Sequence, residues 1–266
     1  MCFAFDARPP DLPSDLALAP IAGGAGAELL ELRSADGTGF SAALAESANG
    51  QGAGVLILPD VRGLYPFYME LTERFALAGH HAIAIDYFGR TAGLGPRDED
   101  FVYMPHVEQT TVAQVQADAR AAIGALRERT GAGAIVSVGF CLGGMHSFLA
   151  GTSAPLDLAG VIGFYGLLDG SRYGIHGPLQ RAADIRCPVL GLFGGADQAI
   201  PVEQVDEFDS RLVEAGVEHE LKVYPGAPHS FFDKRAAEHA EASDDAWRRV
   251  LAFLENAVSR SRSVPT

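Results

Sequence analysis

Beyond residue 54 the chain alternates short apolar runs with longer stretches in which apolar residues recur every three or four positions. The runs GVLILPD, HAIAID, AIVSVGF, GVIGFY and CPVLGLFG lack the apolar–polar alternation of a half-solvated strand, so they read as strands covered on both faces. HELKVYP is read as the last strand. The segments YPFYMELTERFALAG, VAQVQADARAAIGALRERTG and VEQVDEFDSRLVEAG carry the helical period, and each closes on a glycine. A further helix starts at Cys141, and a final amphipathic one covers DAWRRVLAFLENAV. Upstream, AELLELRS and GFSAALAES flank the turn signal Asp36-Gly37 and predict an antiparallel hairpin at the edge of a sheet. Strand and helix in alternation predict an α/β fold with a mostly parallel central sheet and helices on both faces. The opening MCFAFDARPPDLPSDLALAP shows no sustained period, which makes residues 1–26 a surface arm, 27–260 a single domain and 261–266 a tail. The Gly/Ala-rich AIAGGAGA reads as a linker rather than a phosphate loop. The long segment TAGLGPRDEDFVYMPHVEQ after Asp86 is either a lid or a passive surface excursion.

Composition narrows the function. The chain has 266 residues, 48% of them hydrophobic, which is enough for a sizeable core, and a formal net charge of -14. Its basic residues are scattered rather than clustered, which argues against nucleic acid as a partner. No segment reaches the roughly 18 uninterrupted apolar residues of a membrane span, and MCFAFDARPP lacks a signal-peptide pattern, so the expectation is a cytoplasmic protein with no membrane partner. Cys2, Cys141 and Cys187 are odd in number and lack metal-site spacing; neither a disulfide framework nor a bound metal is expected. His80-His81 has no third ligand nearby, His146 is expected to pack rather than react, and Cys187 reads as a small buried hydrophobe.

The candidate chemistry lies in GFCLGG. Gly139-Phe140-Cys141-Leu142-Gly143 places a cysteine on a tight strand-to-helix turn, where the residues two before and two after must be small. The helix N-terminus favours a thiolate there. A buried structural cysteine in a tight turn is the bland alternative. Two further strand ends weigh against it: GGADQAIP puts Asp197 beyond one strand, and GAPHSFF puts His229 beyond the last. Nucleophile, acid and base in that order fit a triad in which His229 takes the thiol proton and Asp197 orients the ring.

GFCLGG, GGADQAIP and GAPHSFF together resemble the signature regions of the dienelactone hydrolase family within the α/β-hydrolase fold, over a span from about Ala27 almost to the C-terminus. Most α/β hydrolases use serine, so the cysteine discriminates. The resemblance implies Cys141 as nucleophile, Asp197 as acid, His229 as base and an acyl-thioester intermediate in the hydrolysis of a small ester or lactone, without a cofactor. It also implies an oxyanion hole from the backbone of Leu142 and Val61. A family glutamate that modulates the thiol is matched by Asp60, one methylene shorter. Arg90 occupies the position of a substrate-binding arginine, with Tyr87 and Phe88 beside it as an apolar wall. Where the family carries a second arginine this chain has Asp233, and Arg62 is a candidate replacement. The resemblance points to aromatic degradation as the pathway.

Alternatives remain at this level. A general carboxylesterase or thioesterase acting on neutral esters fits Asp233, and a low-turnover ligand-binding or redox-sensing protein built on the same fold fits a reactive thiol at Cys141. The substrate is a small molecule in the leading reading, and the protein is a monomer or a homodimer.

Overall fold

The computed structural model describes residues 4–23 and 26–263. Eight strands form one sheet: β1 (Glu28–Arg33), β2 (Gly39–Ala45), β3 (Gly54–Leu58), β4 (His81–Ile85), β5 (Ile135–Phe140), β6 (Gly160–Phe164), β7 (Val189–Gly194) and β8 (His219–Tyr224). Their spatial order is β1-β2-β4-β3-β5-β6-β7-β8. The first three in this order pair antiparallel and the rest parallel. Every residue of β3, β4, β5, β6 and β7 is buried, as their unbroken apolar runs require. The predicted hairpin forms about Asp36-Gly37, with Arg33 opposite Gly39 and Gly37 at φ 86°. This is the α/β-hydrolase arrangement the sequence predicts.

The helices are α1 (Pro66–Leu77), α2 (Gly89–Ala92), α3 (Met104–Val107), α4 (Val112–Thr130), α5 (Leu142–Ala150), α6 (Pro178–Arg181), α7 (Val202–Ala215) and α8 (Ala240–Ser263). Local chemistry sets their ends. Pro66 opens α1 at a position whose N–H has no helical partner. Thr111 and Gln114 form a reciprocal capping box on α4, and Gly131 ends it at φ 69°. Apolar side chains gather into two layers: one contains Phe75 of α1 and Trp247 of α8, the other Val115, Ile123 and Leu126 of α4.

Three boundaries differ from the sequence reading. The segment after Asp86 is not irregular throughout, since α2 and α3 form within it. α8 continues to Ser263, past the expected end of the domain at 260, while the last residues of the tail, 264–266, lie outside the described residues along with 1–3 and 24–25. The arm is not loose over its described part. Ala7 and Ala19 are buried, Phe5 stacks on Tyr65 at 6.2 Å, Trp247 Nε1 donates to the Pro10 carbonyl at 3.2 Å, and Lys234 N donates to the Arg8 carbonyl at 2.9 Å. Proline fixes the arm's backbone cheaply, so few contacts suffice to hold it.

Candidate active site

The site lies at the carboxyl ends of the parallel strands, where loops from several strands converge. β5 runs into α5 through Cys141, whose backbone sits at φ 56° and ψ -114°, a conformation costly for any residue but glycine. Its neighbours make the turn feasible. A Cβ at position 139 would overlap the Gly143 carbonyl, and one at 143 would overlap the carbonyls of Leu58 and Pro59. The turn is pinned across the sheet by Cys141 N donating to the Phe164 carbonyl at 3.0 Å.

The contact of Gly143 with Leu58 and Pro59 brings the start of α5 against the loop after β3. That loop carries Val61. Leu142 is the first residue of α5, so its N–H falls outside the helix's own ladder. The loop is held by two phenols: Tyr87 Oη donates to the Pro59 carbonyl at 2.6 Å, and Tyr68 Oη accepts from Asp60 N at 2.9 Å.

Beyond β7, Asp197 accepts from Ala199 N at 2.8 Å through Oδ1 and pairs with His229 Nδ1 at 2.6 Å through Oδ2. The Asp197 side chain is 1% exposed and that of His229 8%. With Nδ1 committed to the carboxylate, Nε2 is the nitrogen left to exchange a proton with a nucleophile. Cys141, His229, Val61 and Arg62 line one cavity of about 350 Å³. The other lining side chains include Tyr103 and Met104 from the segment after β4, and Leu167, Arg172 and Tyr173 after β6.

Asp60 is buried behind this surface. Its Oδ1 accepts from Arg62 N at 2.9 Å and its Oδ2 from Tyr65 Oη at 3.4 Å. Burial lifts its carboxyl to about pKa 6, against the opposing pull of the Arg62 N–H, the Arg62 guanidinium and the two tyrosines. Tyr87 is kept protonated far above its ordinary range by burial first, then by Asp60, Asp86 and Cys141. That electrostatic coupling puts Tyr87 in the field of the thiol.

Not every residue singled out by the sequence reaches the cavity. Arg90 points away from it. Nη1 bonds Asp118 Oδ2 at 2.5 Å, while Nε and Nη2 bond Asp36 at 3.1 and 2.8 Å. Asp118 is 1% exposed, so Arg90 neutralises a buried carboxylate and ties α2 to α4 and the hairpin turn. Phe88 is fully buried against Phe101 and His106, away from the cavity wall. Asp233 does not line the cavity either; its Oδ1 accepts from Arg8 N and Arg235 N, at 3.2 and 3.0 Å. The segment after Asp86 contributes Tyr103 and Met104 to the cavity, and Arg97 staples it, with Nη2 bonded to Asp86 Oδ2 at 2.7 Å and to the Gly93 carbonyl at 2.8 Å. Arg172 escaped the sequence reading, because GSRYG carries no period or motif that marks it.

The remaining polar residues have local roles. His80 Nδ1 and His81 Nδ1 each accept a backbone N–H, from Ala53 and Ser47. His146 is buried against the Tyr87 ring, 5.7 Å between centroids, and burial pushes it down to about pKa 4. Neither Cys141 nor Cys187 is in a disulfide, and burial pushes the Cys187 thiol up to about pKa 12. Among the described residues no group of three or more His, Cys, Asp or Glu is placed to hold a metal, and no helix is long and apolar enough to cross a membrane.

The sequence profile of the dienelactone hydrolase family matches residues 40–258, which spans the whole parallel sheet and all three strand ends just described. The chain belongs to the dienelactone hydrolase family. Relatives agree. A protein of Escherichia coli named "Putative carboxymethylenebutenolidase" is 32% identical over 211 residues, 76% of each chain. A protein of the same name from Methylorubrum extorquens is 32% identical over 203 residues, 74% of this chain and 69% of its own. Among solved structures, a Klebsiella pneumoniae protein described as a "Putative Dienelactone Hydrolase" superposes with a TM-score of 0.75 at 29% identity, covering 86% of this chain and 99% of that one. As a dienelactone hydrolase family member the chain is a hydrolase of the ester and lactone class.

Proposed function

We propose that the protein opens a small lactone or cleaves a small ester through a thioester on Cys141, a carboxymethylenebutenolide-like enol lactone being the substrate type closest to its relatives' names. The observation that carries this reading is the 2.6 Å His229–Asp197 pair on the same cavity as a cysteine held at φ 56°. His229 Nε2 takes the Cys141 proton, and the sulfur adds to the carbonyl carbon. Charge gathers on the carbonyl oxygen, where the N–H groups of Leu142 and Val61 are suited to receive it. The tetrahedral species collapses with cleavage of the C–O bond, and His229 returns its proton to the leaving oxygen. Water, deprotonated by His229, then attacks the thioester carbon; the carboxylate leaves and the proton returns to sulfur. Asp197 keeps the ring oriented and stabilises it while charged.

The test is steady-state hydrolysis of dienelactone, a neutral enol lactone and a short-chain p-nitrophenyl ester by wild type and Cys141→Ala. Loss of turnover by at least 10³-fold in the variant, with an unchanged circular dichroism spectrum, is the expected outcome. A variant as active as wild type would remove Cys141 from the chemistry.

A further inference from the structure

The sheet ends in an open strand. β8 is last in the sheet order, paired on one side with β7 and on the other with no described strand. Val189 N donates to the Glu218 carbonyl and Gly195 N to the Tyr224 carbonyl, so the even-numbered residues of β8 turn their backbone groups towards β7. Alternate residues of a strand face opposite ways, which directs the N–H and C=O groups of His219, Leu221 and Val223 outward. Leu221 and Val223 are only partly buried. Beside them on α7, Asp209 bonds His219 Nε2 at 3.2 Å, and Val213, one turn further along the same helix face, is 64% exposed. An edge of this kind is a template for another strand.

The charges of β8 restrict what can pair with it. On the face towards α8, Glu220 and Asp245 share one cation, Arg249, whose Nη1 bonds Glu220 and whose Nε bonds Asp245 at 2.6 Å. Lys234 pairs with Asp11, whereas Lys222, two residues along from Glu220 on the same face, has no carboxylate within ion-pair distance among the described residues; its Nζ lies 5.6 Å from the Tyr224 ring centroid. A second copy laid antiparallel across a two-fold axis normal to the sheet brings residues of the same face together, so the axis passes through a residue. Through Glu220 or Lys222 it sets Glu on Glu or Lys on Lys, and through His219 it sets Glu218 against Glu220. Through Val223 it faces Leu221 with Pro225, which has no N–H. Through Leu221 it sets Glu220 against Lys222 on both sides of the axis and matches the outward groups of His219 with those of Val223.

We infer that β8 is the docking edge for a second copy of this chain, joined antiparallel about Leu221 so that the two sheets become one. The outward-facing residues then exchange both N–H···O bonds with their opposites, and Glu220 and Lys222 fall at the non-hydrogen-bonded positions, where facing side chains approach most closely. Lys222 of the partner subunit supplies the second cation for Glu220 and Asp245. The contact also removes Leu221 and Val223 from water. The edge holds no residue that lines the cavity of Cys141 and His229, so the inference goes beyond the hydrolase reading and does not depend on it.

Sedimentation velocity of the whole chain, from about 1 to 100 µM, tests this. Wild type is expected to reach the mass of a dimer and Lys222→Glu to weaken dimerisation about 10-fold or more. Glu220→Lys combined with Lys222→Glu should recover part of it, because the exchanged charges face each other again. Leu221→Pro removes an outward N–H without touching the β7 ladder, and is expected to leave a monomer with an unchanged circular dichroism spectrum. If that variant fails to fold, the two charge variants carry the test alone. A wild type that is monomeric at every concentration overturns the inference and makes Lys222 a guard of the edge. A dimer untouched by Lys222→Glu, or weakened by it and not recovered by the exchange, overturns the pairing about Leu221.

Discussion

At the scale of single residues, Cys141 shows how reactivity and stability pull apart. A non-glycine residue at φ 56° and ψ -114° costs about 1–3 kcal/mol of backbone strain. Cys141→Ala keeps that strain and Cys141→Gly relieves it, although both lose the thiol. Urea denaturation should therefore show Cys141→Gly more stable than Cys141→Ala by about 1–2 kcal/mol, both being inactive. Asp60 makes a second case. Its folded pKa of about 6 lies above the ordinary 3.8, so the folded state binds this proton more tightly than the unfolded chain. Its contribution to stability is greatest below about pH 4, falls as pH rises towards 6, and above that represents a cost of about 3 kcal/mol. Asp60→Asn keeps an acceptor for Arg62 N without the charge. Its stability relative to wild type should rise between pH 4 and 7, read from urea midpoints across that range. His80 and His146, both pushed down to about 4 by burial, act in the opposite sense: their stabilisation is complete above about 6.5 and is lost as pH falls towards 4. The GFCLGG turn was legible because it needs small residues at fixed offsets. The environment of Asp60 was not, since its burial depends on Tyr65 and Tyr68 closing over it from a helix that the pattern places only approximately.

At the scale of elements, the loop after β3 is what the surrounding structure holds most deliberately. Tyr87, from the end of β4, donates to the Pro59 carbonyl two residues before Val61. Tyr87→Phe removes that bond and keeps the ring. The expected result is a fall in kcat of about 10-fold with little change in KM, because in the proposed mechanism the loop positions a transition-state donor rather than the ground-state substrate. A matching rise in KM would argue instead that Tyr87 shapes the binding wall. Arg90 behaves differently. Arg90→Met leaves Asp118 buried without its cation, at a cost of about 3 kcal/mol in stability, and should leave the selectivity between anionic and neutral esters untouched. Thermal unfolding together with the ratio of kcat/KM for an anionic to a neutral p-nitrophenyl ester checks both halves. The alternation of strands and helices and the hairpin were readable from periodicity and the Asp36-Gly37 signal. The facing of arginines was not, because Arg90 is claimed by Asp118, 28 positions away and on a helix whose rotation the apolar pattern fixes only once it is packed.

At the scale of the whole molecule, the described arm packs against α1, α8 and the loop that carries His229. Arg8 N donates to Asp233, Lys234 N donates to the Arg8 carbonyl, and Arg248 pairs with Asp15. Asp233 and Lys234 follow His229 by only four and five residues. Removing residues 1–16 should lower Tm by several degrees, and should reduce kcat more than the Tm change alone accounts for at assay temperature, because the loop bearing His229 loses its external brace. The sequence pattern showed the arm as irregular, which it is, and could not show it as docked, because its contacts lie 62 positions later at Glu70 and more than 220 positions later at Asp233 and Trp247. That separation has a consequence during biosynthesis. Pro10 and Asp15 are made long before Trp247 and Arg248, which receive them. Those contacts therefore wait for α8, and a nascent chain short of α8 carries His229 without them.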